Sequence, residues 1–385
     1  MKMINNLCII SPRYPTDKKP VHTFIDQLVR GLVDCGINCT VISPYSITEW
    51  VKKKTYIPKK VRIERTINNN NFKIYSPRYI SLSTQVFGIR TSRFTYNLFK
   101  KAVIKVINKY NLKPDAFYGH FVYPSGICAA DLGKLYNKPS FLAYGECSAS
   151  EYSHVSREIL DKMFKNLSGI ISVSNANKKE LLDMGLVENS DRVGVFPNAI
   201  DHNRFYKIEK DIAREYLNID KNKFVVIFVG HFIERKGSQI LSDALEQLDD
   251  VFSIFVGSGP QEPECKNILF KGLVPHDRLY LYLNAADIFV LPTQAEGCCN
   301  AIIEAMACGL PIVSSNKPFN DDILNEKNSI RIDENDVEAI KQAIMELKNN
   351  KNLRDRLSMG AIISASELNI QKRAERIIEF MNSKL

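Results

Sequence analysis

The stretch Ala295 to Ser315, AEGCCNAIIEAMACGLPIVSS, holds two glutamates eight positions apart in an otherwise apolar setting, Glu296 and Glu304. Its pattern is a loop followed by a short helix, with Asn300 as the expected cap and Gly309 before Pro311 as the stop. Glu296 then stands just ahead of the helix and Glu304 about one turn inside it. Carboxylates accept hydrogen bonds from hydroxyl groups. The N–H groups of Gly297, Cys298, Cys299, Asn300 and Ala301 lie at a helix start, where unpaired donors and the aligned peptide dipoles favour phosphate. A ligand that satisfies all three features has a phosphate flanked by two hydroxyl-rich groups, as a sugar and a ribose would be. The plainer alternative stays open here. A glutamate at a helix start is favourable dipole chemistry by itself, and Glu304 reads equally as a solvated helix residue.

Other residues able to do chemistry stand elsewhere. Lys236 precedes Gly237 at a second expected helix start, with Arg235 beside it, and a cation there is disfavoured by the dipole unless an anion sits nearby. His120, in YGHFVYP, lies between apolar residues, where a satisfied structural histidine is the ordinary reading. Nine cysteines are scattered without a CxxC pair, and the apolar surroundings of Cys8, Cys128 and Cys308 suggest buried free thiols. No Asp-x-Asp occurs, and no metal site is expected.

The elements that must position these residues form two alternating series. LCIIS, the amphipathic HTFIDQLVRGLVDCG and CTVISP open a βαβ pattern, continued by DAFYG, PSFLAYG and SGIISVS. KFVVIFVG, VFSIFVGSG, ADIFVLP and LPIVSS form the second. Two doubly wound domains follow, with a join near Pro197 to Asp211. The segment before Glu296 would then be a loop at the carboxyl end of a parallel strand, the usual ligand position in open α/β sheets. A final helix carries Ile370, Ala374, Ile377, Ile378 and Met381 on one side.

Length and composition fit this: 385 residues, 45% hydrophobic and 25% charged, suit two or three globular domains. No apolar run reaches the roughly 18 residues of a membrane span, and Leu7 to Ile10 is too short for a signal peptide, so a cytoplasmic protein is expected. The net charge of +9 is concentrated, since residues 51–110 carry 15 Lys or Arg against one acid, Glu64. Such a stripe suits anionic lipid headgroups or phosphates, though a solvated charged face gives the same pattern. Zinc-finger spacing and an RNP signature are both missing, so no nucleic acid is expected.

EGCCNAIIEAMACGLPIVSS resembles the E-x7-E signature of glycosyltransferase family 4, retaining enzymes of the GT-B fold. FVGHFIERKG is similar to that family's phosphate loop, and FVGSGP and FKGLVPHDRLYLYLNAADIFVLP to the segments that follow it. KPDAFYGHFVYPSG, ISVSNANKKELLDMG and VFPNAIDHNRF resemble blocks of its first half. The resemblance implies two Rossmann-like domains facing a cleft: an acceptor-binding domain at 1–200, a nucleotide-sugar-binding domain at 201–366, and a helix at 367–385 that crosses back to the first.

Carried over, it implies that Glu296 binds the transferred sugar and Glu304 the ribose, with Gly297, Cys298, Cys299 and Asn300 giving backbone donors. Lys236 would neutralise the diphosphate, with Arg235 or His231 sharing the task, and Val274 would hold the base. His120 would face the reacting sugar, and Gly145 and Glu146 would lie on the acceptor side. The expected reaction is transfer from a UDP- or GDP-linked sugar to a glycan or lipid-linked acceptor, without metal or other cofactor, at the inner face of the cytoplasmic membrane. Two alternatives are an epimerase of the same fold and a non-catalytic nucleotide-sugar-binding subunit. The chain departs from the family at three places: His231 replaces a common arginine, Ala199 in PNAID replaces a usual glycine, and SPRYPTDKKPVHTF lacks paired glycines, which leaves the path of Pro20 to Phe24 unassigned.

Overall fold

A computed structural model describes the chain apart from Met1, Lys2, Asp17 to Val21, Lys54, Thr55, Ser83, Thr84, Phe87, Gly88 and Thr91. Pro20 and Val21, part of the unassigned first loop, therefore lie outside the described residues. The chain divides into two units, Met1–Phe196 with Ile370–Leu385, and Pro197–Asn369. These limits differ by a few residues from the expected 1–200, 201–366 and 367–385. The side chains explain the first shift: Phe196 packs on Phe380 of the first unit at 5.5 Å between ring centroids, whereas Asn198 bonds to Cys298 of the second.

In the first unit the apolar runs form one sheet, in the order Val193–Val195, Gly169–Ser172, Ser140–Tyr144, Ala116–His120, Asn6–Ile10, Asn38–Ile42, Asn71–Tyr75, Val61–Arg65. Every pairing is parallel except the last, an antiparallel hairpin. Strands such as Ala116–His120 and Ser140–Tyr144 are buried along their whole length, as expected of parallel strands covered on both faces. The hairpin lies in the basic region, where charge masked its strand pattern. Its outer strand alternates exposed and half-buried residues. Successive strands run outward from Asn6–Ile10 in one direction and from Ala116–His120 in the other, so the switch in winding falls between these two neighbours.

The helix Thr23–Asp34 buries Ile25, Leu28, Val29, Leu32 and Val33. Against it packs the chain's last helix, Ile370–Asn382, which buries Ala374, Ile377 and Met381. Gly31 permits the approach: a Cβ there would stand 2.8 Å from Ile370 Cγ2. The Ile4 N–H bonds to Asn382 Oδ1 at 3.0 Å, tying the two ends of the chain together.

The second unit is a wholly parallel six-stranded sheet in the order Ile268–Gly272, Val251–Val256, Phe224–Val229, Ile288–Leu291, Ile312–Ser315, Ser329–Ile332. Two of these strands, Ile268–Gly272 and Ser329–Ile332, were not legible as strands in the sequence. The winding reverses between Phe224–Val229 and Ile288–Leu291. The loops carrying Lys236 and Glu296 follow these two strands, so both leave the sheet at the switch point, where open α/β sheets bind ligands.

Candidate functional site

At that switch point the sequence-distant segments 230–237 and 292–300 join. After Phe224–Val229 the chain makes a short 3₁₀ turn, Glu234–Lys236, and enters the helix Ser238–Glu246 through Gly237 in the left-handed region at φ 73°. A side chain is excluded there twice over, by the backbone angle and by the Pro292 carbonyl oxygen, which a Cβ would meet at 2.3 Å. The second loop docks through the Gln294 N–H, which donates to Arg235 O at 2.8 Å.

Lys236 Nζ donates to Glu296 Oε1, and Arg235 stands 3.6 Å from Glu296 Oε2 while donating to Ala295 O. Thr293 Oγ1, 2.8 Å from Glu296 Oε1 and 3.1 Å from Arg235 O, has one proton to give to either. The Lys236 and Glu296 side chains are only 13% and 8% exposed. Burial works against the lysine's charge, yet Cys299 and Glu296 beside it prevail and hold its pKa above the ordinary value. The site therefore carries a buried, charged lysine clasped to a buried carboxylate, with an arginine at its edge. His231, the other candidate for the phosphate, is exposed; its carbonyl accepts from Ile233 N–H at 3.0 Å, and its ring makes no hydrogen bond among the described residues.

The helix Asn300–Ala307 begins one residue earlier than a cap at Asn300 would require. Cys299 is the cap position, and no side chain bonds the cap. Asn300 instead leaves its Oδ1 buried without a partner, a state that native structures rarely tolerate. Burial pushes the Cys299 thiol up to about 11 and Glu296 adds to this, while Lys236 and the N–H groups of Ile302 and Ala301 pull the other way. Asn198 fixes the preceding loop, donating from its backbone to Cys298 Sγ at 3.3 Å and from its amide to Cys298 O at 3.0 Å.

Glu304 is not a solvated helix residue. It is buried, and its Oε1 lies 3.0 Å from His276 Nε2. Val274, two residues before that histidine, is half-buried against the unit's core. Thr293, Asn198 and His276 escaped the sequence reading. Asn198 and His276 stood inside the quoted blocks VFPNAIDHNRF and FKGLVPHDRLYLYLNAADIFVLP, but nothing in their own spacing singled them out.

In the first unit His120 ends the strand at the other switch point, buried among Phe121, Phe24 and Tyr118, with ring centroids 4.8, 5.6 and 6.2 Å away. Its Nδ1 is buried and unpartnered. Burial, aided by Arg373 and His22, lowers its pKa to about 3, so the ring is neutral near pH 7. Phe121 follows at φ 69°, ψ 155°, a region reserved almost wholly for glycine. The strained turn is pinned by Phe121 N–H to Ala143 O at 3.1 Å and Gly126 N–H to Phe121 O at 2.8 Å. Glu146 adds a third tie, accepting from Val122 N–H at 2.6 Å and Gly145 N–H at 3.0 Å. Burial raises the Glu146 pKa to about 7 against the pull of these N–H groups. Glu146 also lines a cavity of about 210 Å³ with Arg13, His22, Phe121, Tyr123 and Tyr152. The nine cysteines are all free, with Cys8, Cys128 and Cys308 among the buried ones.

Residues 21–204 match the family model described as Glycosyltransferase Family 4, and residues 209–363 the model described as Glycosyl transferases group 1. The chain is 30% identical over 344 residues, 87% of each chain, to TuaC of Bacillus subtilis (strain 168), a glycosyltransferase assigned to teichuronic acid biosynthesis. It is 27% identical over 331 residues, 78% of this chain and 82% of the other, to the N,N'-diacetylbacillosaminyl-diphospho-undecaprenol alpha-1,3-N-acetylgalactosaminyltransferase of Campylobacter jejuni. Among solved structures it superposes on sucrose-phosphate synthase of Thermosynechococcus elongatus with a TM-score of 0.77 at 18% identity, covering 97% of both chains.

Proposed function

The chain belongs to glycosyltransferase family 4, enzymes of hexosyltransferase type on the GT-B fold, and from that premise we propose that it transfers a sugar from a UDP- or GDP-linked donor to a hydroxyl acceptor with retention at the anomeric carbon. The observation that carries this reading is the pair of buried carboxylates, Glu296 and Glu304, with the largely buried Lys236 and the partly exposed Arg235 at the switch-point loops. Carboxylates for two hydroxyl-bearing groups and cations for the phosphates joining them match a nucleotide diphosphate sugar.

On this reading Glu304 holds the ribose, Glu296 the transferred sugar, and Val274 the base, while Gly297 to Asn300 supply N–H donors. Lys236 and Arg235 stabilise charge that grows on the leaving diphosphate. Such stabilisation is the dominant catalytic contribution when the groups are preorganised in a dry site. The leaving phosphate oxygen takes the acceptor's proton as the acceptor oxygen attacks on the same face of the sugar. Because the two basic side chains already supply the positive charge, no divalent cation is required. His120, a neutral imidazole with an unused Nδ1, hydrogen-bonds the reacting sugar, and the cavity bounded by Glu146 receives the acceptor.

The acceptor is a lipid-linked or polysaccharide intermediate in cell-surface glycan synthesis, as the names of TuaC and of the Campylobacter jejuni relative support. The enzyme works in the cytoplasm, peripherally on an anionic membrane. Exposed Trp50, Val51, Ile57 and Ile63 lie close in sequence to Lys59, Lys60, Arg62 and Arg65, a mixture suited to a headgroup layer. No helix among the described residues is long and apolar enough to cross one.

The test is a thermal-shift screen against UDP- and GDP-sugars, then turnover with the stabilising donor in EDTA and NMR assignment of the product's anomeric configuration. Stabilisation by one donor class, chelator-resistant turnover and a retained configuration are expected. An inverted product would refute retention, and activity restored only by magnesium or manganese would refute metal independence.

A further inference from the structure

We infer that His276 is a positioning residue for Glu304, and that through it the site selects ribonucleotide over 2'-deoxyribonucleotide donors. The inference rests on the donor reading given above. His276 lies between the edge strand Ile268–Gly272 and the helix Leu279–Ala285. Its Nε2 stands 3.0 Å from Glu304 Oε1, and its ring meets fully buried Phe205 edge-on, centroids 5.2 Å apart at 65°. The imidazole is thus braced on one side by an aromatic wall and spends Nε2 on the carboxylate.

The bond decides how Glu304 can act. A glutamate on a helix has three rotatable bonds, and freezing them costs free energy when a ligand binds. Here Nε2–H donates to Oε1 and fixes the carboxylate before any ligand arrives. Among the described residues Oε2 has no hydrogen-bond donor, so it faces its task unused. Near Glu304 the Cys308 thiol has its pKa raised by burial and by Glu304 itself, which keeps it neutral. A carboxylate with one oxygen anchored and the other open suits the two adjacent hydroxyls of a ribose. A site built to hydrogen-bond a hydroxyl rejects the analogue lacking it, because a buried acceptor is then left unpaired. With Glu304 free to rotate, that rejection weakens.

Calorimetric binding of UDP, GDP and their 2'-deoxy counterparts to the wild type, His276→Leu and His276→Gln tests this. Leucine keeps apolar bulk against Phe205, and glutamine returns an N–H near the Nε2 position. The wild type should prefer one ribonucleotide over its deoxy form by about tenfold, the value of one hydrogen bond to a charged group. His276→Leu should bring the ratio towards one by weakening the ribonucleotide alone, and His276→Gln should restore most of it. Equal weakening of both forms by leucine would mark His276 as a mere structural brace, and an unchanged ratio would make it irrelevant; either overturns the inference, as does wild-type binding without ribose preference. Failure of the wild type to bind any of these nucleotides would instead remove the donor reading itself.

Discussion

Glu296 and Glu304 are both buried and both bonded, but to partners of different kinds, and the difference governs how each is best tested. Glu304 is held by a histidine, so Glu304→Ala removes a ribose contact that should be equal in ground and transition states. We expect the donor KM to rise roughly tenfold to a hundredfold with kcat little changed in initial-rate assays. Glu296 neutralises a buried lysine, and alanine there would strand that charge at a cost of about 3–5 kcal/mol. Glu296→Gln keeps the hydrogen bond and removes the charge, and should lower kcat by about tenfold or more with a small change in KM. A kcat equal to the wild type's would take Glu296 out of the chemistry. For Glu146 the prediction concerns pH. Its folded pKa, about 7, exceeds the ordinary 4.5, so between these values the folded state binds a proton that the unfolded state has released. Stability from this group is then lost as pH rises from 4.5 to 7. Glu146→Gln should therefore gain stability relative to wild type as pH rises from 5 to 8, measured by urea midpoints, and a difference that stays flat would contradict the burial argument.

At the scale of elements, the donor site depends on two loops held in register more than on either alone. Gly237 is the contact at which a side chain cannot enter, being both left-handed and against Pro292. Gly237→Ala should force the loops apart, moving Lys236 away from Glu296. We expect a drop in melting temperature, since such strain costs on the order of 1–3 kcal/mol or more, together with weakened donor binding by calorimetry. Normal donor affinity in a destabilised variant would show that the loop contact serves the fold alone. Asn198 and Thr293 act at the same scale: each bonds to a neighbouring loop and fixes where Cys298 and Glu296 lie.

For the whole molecule, the last helix belongs to the first unit although 173 residues separate it from that unit's main segment. Removing residues 370–385 would take away the buried Ala374, Ile377 and Met381 and uncover the part of the helix Thr23–Asp34 around Gly31 on which they pack. At about 1.5–3 kcal/mol for each large apolar side chain, the loss compares with the total stability of a domain. The truncated protein should show an early unfolding transition by calorimetry while the 197–369 unit melts nearly as before; an unchanged first transition would mean that the helix contributes little. The basic region leads to a further expectation. Vesicle co-sedimentation should rise with anionic lipid and fall with salt, because screening shortens the reach of surface charge, and indifference to both would remove the membrane from the reading.

The strands that open each unit, the helix Thr23–Asp34, the last helix and the E-x7-E stretch were legible in the sequence because their apolar spacing and turn residues are local properties. Charge hid the hairpin Val61–Arg65 and Asn71–Tyr75, and short or weakly apolar runs hid Ile268–Gly272 and Ser329–Ile332. Resemblance brought Glu296, Glu304 and Lys236 together in expectation, but only the folded chain decided that Glu304 is buried and bonded rather than solvated. The same holds for the unpartnered Oδ1 of Asn300, expected as a cap, for Glu146 as the tie beneath the strained Phe121 turn, and for the bond from His276 to Glu304. Each depends on which loops and helices the folded sheet brings together. Residues 28 to 60 positions apart touch because strand order, a property of the whole sheet, sets the segments that carry them side by side.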